Sequence, residues 1–108
     1  MPPARALVPT ELQARLDAGD DVVVLDVREA WEVDLGALPR TLWIPLGELP
    51  DRLAEVPQDK DVVCVCHHGV RSAMAARLLA GQGHPRAWNL SGGVDRWARD
   101  VDPAFPTY

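Results

Sequence analysis

The sequence predicts an α/β protein built around a mostly parallel sheet. Two apolar, β-branched runs, residues 22–27 and 62–66, are typical of strands buried on both faces. Segments with helical periodicity alternate with these runs, and the clearest of them is residues 72–82. Strands that alternate with helices along a chain favour a parallel sheet covered by helices.

The remaining elements follow in chain order. A capping-box spacing that starts at Thr10, with Gly19 beyond it, predicts a helix over residues 10–18. Apolar spacing predicts helical segments over residues 29–35 and 46–56, short strands over 42–44 and 86–90, and a last helix after Gly92-Gly93.

The composition restricts the class of function. The 108 residues suffice for one domain, and 47% of them are apolar. A net charge of −5 argues against nucleic acid or an anionic membrane as partner. The first residues show no apolar stretch of a signal peptide, and no run approaches the ~20 apolar residues of a membrane span. We therefore expect a single cytoplasmic domain over residues 1–108, with its motifs between about 22 and 100.

Two cysteines stand one residue apart, at Cys64 and Cys66. On a strand their Cα atoms would be ~7 Å apart, which is too far for a relaxed disulfide. Both are therefore expected to be reduced thiols. Cys64 lies between two valines and is expected to be inert core, whereas Cys66 ends its strand beside polar residues.

The segment from Cys66 to Ser72 must turn from a strand into a helix within a few residues. Gly69 supplies a position where a positive φ carries no steric penalty. Successive N–H groups in such a turn form an anion-binding nest, and the following helix adds its unpaired N–H groups and dipole. Arg71 adds a permanent charge. This cradle is expected to stabilise a thiolate at Cys66.

Other interpretations of these residues stay open. Cys66 can be an ordinary core cysteine, and Arg71 an ordinary solvated cation. A metal site made by the two cysteines with His67 and His68 is disfavoured, because ligands crowded on one strand end hardly converge tetrahedrally. The two histidines are expected to form the pocket wall and shape its electrostatics, with a Cys–His dyad as the alternative.

Four segments together resemble the rhodanese, or sulfurtransferase, family. Cys66, Gly69, Arg71 and Ser72 match the family's active-site pattern Cys-x-x-Gly-x-Arg followed by a small residue. The other matching segments are Leu-Asp-Val-Arg-Glu at 25–29, Gly-Ala-Leu-Pro at 36–39 with Ile-Pro at 44–45, and Leu-Ser-Gly-Gly at 90–93 with Trp97. Ala37 departs from the usual histidine, and Arg40-Thr41 from the common Gly-Ala.

The resemblance implies a rhodanese-like fold, with about five strands flanked by helices on both faces. It also implies that Cys66 takes a sulfane sulfur from a donor such as thiosulfate, holds it as a persulfide, and passes it to a thiophilic acceptor. The loop residues His67, His68, Gly69, Val70, Arg71 and Ser72 would bind the substrate or persulfide, and Asp26 and Arg28 would support the loop. The partners implied are a small anionic donor and a thiol or sulfur-acceptor protein; we expect no cofactor, no metal, and a monomer or weak dimer.

Two rival functions remain. Related folds of phosphatases and arsenate reductases carry Cys-x5-Arg loops, but here only four residues separate Cys66 from Arg71. The shorter loop makes a smaller cradle, better suited to one sulfur than to a phosphate. The second rival is a non-catalytic sulfur carrier or binding module, which shares the persulfide and differs in turnover.

Overall fold

The computed structural model describes residues 5–108 as a five-stranded parallel sheet with helices on both faces. The strands are β1 (Arg5–Leu7), β2 (Val22–Asp26), β3 (Thr41–Trp43), β4 (Asp61–Val65) and β5 (Ala87–Leu90), in the spatial order β1-β5-β4-β2-β3. The helices are α1 (Pro9–Asp17), α2 (Ala30–Leu35), α3 (Val70–Gly81) and α4 (Gly93–Asp100). The predicted fold class is confirmed.

Alternate residues of the central strands pack into two separate cores. Val63 and Val65 of β4 lie in one cluster with residues of α1 and α4, whereas Val62 and Cys64 lie in the other with α3. This alternation follows from the two-residue period of a strand. It explains why β4, after Asp61, has the apolar sequence of a strand covered on both faces, with all five of its residues buried.

The sheet order places the end of β4 at a point where the chain changes direction. From β2 the chain passes outward to the edge strand β3, and then crosses back to β4 on the other side of β2. In open parallel sheets, ligands bind at such switch points, beyond the carboxyl ends of the strands. Cys66 follows β4 and Val27 follows β2, and the Val27 N–H donates to Val65 O at 3.1 Å.

Two sequence-based expectations were wrong. Residues 46–56 form two short 3-10 helices, Leu46–Asp51 and Leu53–Glu55, in place of one helix. Pro50 inside the first has no N–H to donate, which prevents an α-helical ladder there. The edge strand β1 was not predicted, because three residues are too few to show a period; it is held by parallel pairing with β5.

A buried ion pair joins the end of β2 to the segment that follows. The Arg28 and Asp26 side chains are both fully buried, and Arg28 Nη2 donates to Asp26 Oδ2 at 2.8 Å. Arg28 also donates to the carbonyl oxygens of Glu32, at 3.4 Å, and Gly36, at 2.7 Å. Because each charge is paired and bonded, the pair avoids the full cost of burial.

Within residues 5–108, no helix combines the length and apolar character needed to cross a membrane. Residues 1–4, which belong to the segment expected to lack a signal peptide, lie outside the described residues.

Replacing Arg28 tests how far the fold depends on this pair. Arg28→Met is expected to cost about 3–5 kcal/mol of unfolding free energy, because Asp26 is left as an unpaired buried charge. Urea denaturation measures it. Arg52→Met is the matched control, since Arg52 pairs with Glu48 and Glu55 at the surface. The control should leave the midpoint almost unchanged. Equal midpoints for the two variants would contradict a structural role for Arg28.

Candidate active site

The sulfur of Cys66 lies at the bottom of a loop that connects β4 to α3. The Gly69 N–H donates to Cys66 Sγ at 3.1 Å, and the Ser72 N–H donates to the same atom at 3.3 Å. Gly69 has a φ of 98° and precedes the first residue of α3, so the chain reverses there in a conformation that suits glycine. Ser72 lies in the first turn of α3, where N–H groups have no partner within the helix. The loop therefore surrounds the sulfur with N–H donors.

The hydroxyl of Ser72 adds a third contact to the sulfur. Ser72 Oγ lies 3.3 Å from Cys66 Sγ and donates to Asn89 Oδ1 at 2.6 Å. Asn89 Nδ2 donates to the Gly69 carbonyl at 3.2 Å, which fixes the orientation of the amide because a carbonyl only accepts. The single Ser72 proton is thus bound to Asn89, and the Cys66 thiol donates to Ser72 Oγ. After the thiol ionises, Ser72 can turn its proton toward the sulfur.

Helix α4 holds the loop from the opposite side. The Val94 and Asp95 N–H groups donate to the carbonyl oxygens of Cys66 and His67, at 2.9 and 3.1 Å. This close approach requires Gly93, because a Cβ there would overlap both of those carbonyl oxygens. Gly69 faces α4 at a longer distance, and its Cβ would lie 3.1 Å from the Gly92 nitrogen. Gly93 is therefore the glycine that lets α4 contact the loop.

His67 and His68 stack beside the loop, and neither is hydrogen-bonded to the sulfur. The His67 ring stacks between the Tyr108 ring, 3.9 Å away, and the His68 ring, 3.8 Å away. Burial, and then the charge of His68, lower the pKa of His67. Among residues 5–108, Sγ has hydrogen bonds with Gly69 and Ser72, and no imidazole is among its partners. The geometry therefore gives no support to a Cys–His dyad.

The two histidines and Asp95 offer ligand atoms within 4.8 Å of one another. The imidazole planes are inclined by only 26°. An imidazole binds a metal along a lone pair in its ring plane, at ~2.0–2.1 Å. Two stacked, nearly parallel rings cannot both direct such lone pairs at one ion. This arrangement of side chains does not fit a metal ion. That the protein works without a metal stays a prediction.

Arg71 is held by a carboxylate that the sequence did not identify. Its guanidinium donates to both Glu32 oxygens, at 2.6 and 2.9 Å. The Arg71 hydrogen bonds are the main reason that the pKa of Glu32 is lowered to about 2. The Tyr108 hydroxyl donates to Glu32 Oε2 at 2.7 Å and accepts from Arg28 Nη1 at 3.0 Å. Asp26 and Arg28 thus reach the loop through Tyr108 and Glu32.

The second cysteine lies in the core and away from the loop. Cys64 is fully buried, and this burial raises the pKa of its thiol to about 12. It therefore stays protonated at neutral pH, and a protonated thiol is a poor nucleophile. Both cysteines are free, as predicted. Val70, at the start of α3, is 70% exposed and lies on the outside of the loop.

The described cavities do not coincide with the loop. One of about 540 Å³ is lined by residues that include Ala37, Trp97 and Phe105. It lies on the α1 and α4 side of the sheet, whereas Cys66 belongs to the core on the α3 side. Cys66 itself is 1% exposed. The loop therefore encloses the sulfur closely.

Three of the residues around the loop were missed by sequence reasoning: Glu32, Asn89 and Tyr108. Glu32 lies three residues before the end of α2, where it reads as an ordinary charged helical residue. Asn89 reads as a polar position on a strand, and Tyr108 as part of an irregular tail. No local pattern marks them, since each becomes important only through partners brought near by the fold.

Comparison with known proteins agrees with the geometry. A family model for the rhodanese-like domain matches residues 8–100 of this chain. The chain belongs to the rhodanese-like family. It is 41% identical over 88 residues to a sulfurtransferase of Allochromatium vinosum, with 82% of each protein covered. It is 35% identical to a putative sulfur carrier protein, YrkF of Bacillus subtilis, over 77% of this chain and 45% of that one. A rhodanese-like domain protein from Staphylococcus aureus has a similar structure, with a TM-score of 0.83, 29% identity, and 96% and 98% of the two chains covered.

The contact between α4 and the rhodanese-like loop gives a stability prediction. Gly93→Ala is expected to cost at least ~2 kcal/mol more than Gly19→Ala, because the added methyl displaces the loop carbonyls. The two glycines form a matched pair: φ is 61° at Gly93 and 75° at Gly19, but nothing lies within 4 Å of a Cβ at Gly19. Urea denaturation of both variants measures the difference. If both variants lose the same unfolding free energy, backbone strain alone requires glycine at position 93, and the contact with the loop does not.

Proposed function

We propose that this protein transfers a sulfane sulfur from a small donor such as thiosulfate to a thiophilic acceptor, through a persulfide on Cys66. The observation that supports the proposal is the pair of N–H groups, of Gly69 and Ser72, that donate to Cys66 Sγ at 3.1 and 3.3 Å. Donors placed in this way stabilise a sulfur anion. Membership of the rhodanese-like family supports sulfur transfer as the class of reaction. The hydrogen bonds of the loop support Cys66 as the residue that carries the sulfur.

In the first step the Cys66 thiolate attacks the outer sulfur of the donor. With thiosulfate, the Cys66 S–S bond forms, the S–S bond of thiosulfate breaks, and sulfite leaves with the bonding electron pair. The product is a Cys66 persulfide anion. The Val70 and Arg71 N–H groups lie in the first turn of α3, where a helix supplies no acceptor for them. These two N–H groups, close to Cys66 in sequence, would donate hydrogen bonds to the outer sulfur of the persulfide.

In the second step an acceptor attacks the outer sulfur and regenerates the Cys66 thiolate. With cyanide the product is thiocyanate; in the cell a thiol or a sulfur-acceptor protein would take this place. Two displacements through a covalent intermediate give ping-pong kinetics. His67 and His68 form one wall of the site, and Asp26 and Arg28 support it from behind through Tyr108 and Glu32.

A sulfur carrier is the second candidate, and similarity to a putative sulfur carrier protein favours keeping it. A carrier and an enzyme load the same sulfur on the same cysteine. A carrier loads once and waits for its partner protein, whereas an enzyme forms thiocyanate continuously when thiosulfate and cyanide are both supplied. Steady thiocyanate formation over many turnovers decides between the two.

The assignment of Cys66 is tested by intact mass after thiosulfate treatment. We expect a one-sulfur adduct on the wild type and on Cys64→Ala, and none on Cys66→Ala. The reason is that Cys64 is fully buried, with a pKa raised to about 12, whereas Cys66 Sγ receives two backbone N–H groups. Added cyanide should remove the adduct.

Cys64→Ala is the matched control, because it removes the same atom type two residues away. An adduct that survives in Cys66→Ala and disappears in Cys64→Ala would overturn the proposed mechanism. A wild type that takes up no sulfur from any donor would overturn the proposed function as a whole.

A further inference from the structure

The only arginine of the loop is neutralised within the described structure. Arg71 and Glu32 form a two-pronged ion pair with N–O distances of 2.6 and 2.9 Å. The Glu32 side chain is 4% exposed, and that of Arg71 is 33% exposed. Paired forks of this kind are among the strongest charge-assisted contacts in proteins. A substrate anion that uses Arg71 must therefore compete with Glu32.

Glu32 is also held in place by groups behind it. The Tyr108 hydroxyl donates to Glu32 Oε2 at 2.7 Å, and the Glu29 N–H donates to Glu32 Oε1 at 3.1 Å. Burial raises the pKa of Tyr108 to about 12, so the hydroxyl keeps its proton for this bond at neutral pH. A carboxylate that accepts four hydrogen bonds, two from Arg71 and one each from Tyr108 and Glu29, does not swing away when a substrate arrives. The ion pair is a built feature of the site.

The other cations that contact this network are also balanced. Arg28, which supports Tyr108, is paired with Asp26, and both are fully buried. His67 has a pKa lowered by burial and by His68, which favours the neutral ring. Across residues 5–108, the groups bonded to the Cys66 sulfur are N–H and hydroxyl dipoles and carry no formal positive charge. Such dipoles suit one sulfur anion better than a dianion.

Exposed apolar side chains lie at the start of α3 and beside Glu32. Val70 and Met74 stand four residues apart on α3, on one helix face, and are 70% and 53% exposed. Trp31, next to Glu32 in sequence, is 61% exposed and packs edge-on against Tyr108. Exposed apolar side chains at this end of α3 and on α2 favour a carbon-bearing substituent over a sulfonate group.

We infer that Glu32 determines donor specificity: by holding Arg71, it disfavours dianionic donors such as thiosulfate relative to the persulfides of thiols. The inference rests on the proposed function. In the favoured reaction the Cys66 thiolate attacks the outer sulfur of R–S–SH. A new S–S bond forms on Cys66, the donor S–S bond breaks, and the thiolate R–S⁻ leaves with the electron pair, while the proton stays on the transferred sulfur. This step needs one negative charge at the site, whereas the thiosulfate step brings three.

The test compares sulfur loading of Cys66 from two donors, followed by intact mass in single-turnover experiments. The donors are thiosulfate and the persulfide of N-acetylcysteamine, which bears no other charged group. In Glu32→Gln the released Arg71 should lower the thiosulfate concentration for half-maximal rate about five- to tenfold. The rate with this persulfide should change by less than about twofold.

Two further variants make the test specific. Glu48→Gln removes the same charge from an exposed carboxylate that pairs with Arg52. It should leave the rate of sulfur loading unchanged with both donors. Adding Arg71→Gln to Glu32→Gln should abolish the gain with thiosulfate. If Glu32→Gln slows both donors equally, or leaves thiosulfate unchanged, Glu32 has a structural role only and the inference fails.

A measurement on the wild type serves if Glu32→Gln folds poorly. With Arg71 paired and a net charge of −5, added salt should leave the half-maximal thiosulfate concentration unchanged or lower it. A severalfold increase between low and physiological salt would mean that a free cation binds thiosulfate, and would overturn the inference. If the wild type loads sulfur from neither donor, the proposed function itself has failed.

Discussion

The Cys66 sulfur and the N–H groups directed at it form the contact on which the rest of the site depends. Gly69 and Ser72 donate to Sγ at 3.1 and 3.3 Å because the chain turns from β4 into α3 with a φ of 98° at Gly69. Helix α4 fixes this turn by donating to the carbonyls of Cys66 and His67. In a trans peptide the N–H points opposite to the carbonyl of the same peptide unit. These bonds therefore direct the His67 and His68 N–H groups away from α4. Two helices thus set the orientation of one loop.

The support of the loop extends to parts of the chain that are far apart in sequence. Arg71 contacts Glu32 across 39 residues, and Arg28 contacts Tyr108 across 80. These bonds join the start of α3, the segment after β2 and the last residue into one network. The same network both positions the loop and removes its free positive charge. Stability and substrate choice are therefore linked through the same side chains, and Glu32 is the residue common to both.

The sequence was sufficient for the features that depend on neighbouring residues. The apolar run ending at Cys66, the glycine after it and the helical period over residues 72–82 predict the strand, the turn and the helix. The structure has all three, and the helix begins two residues earlier, at Val70. Glu32, Asn89 and Tyr108 were beyond such reasoning, because their partners are set by the sheet order. Arg71 shows the difference: the sequence identifies it as a charge of the loop, but only the fold identifies its partner as Glu32. Pro50 was visible in the sequence, and its effect on the 46–56 helix was underestimated.

Nuclear magnetic resonance of the backbone amides tests the central contact most directly. ¹H–¹⁵N spectra would be recorded before and after Cys66 is loaded with sulfur, with Cys66→Ala treated in the same way. If the loop binds the persulfide anion through its main chain, the amide protons of Val70 and Arg71, the donors assigned to the outer sulfur, move downfield further than the other amides of α3, and the variant shows no change. If the persulfide is present by mass and these two resonances stay in place, the N–H groups do not hold the sulfur, and the account of the site is wrong.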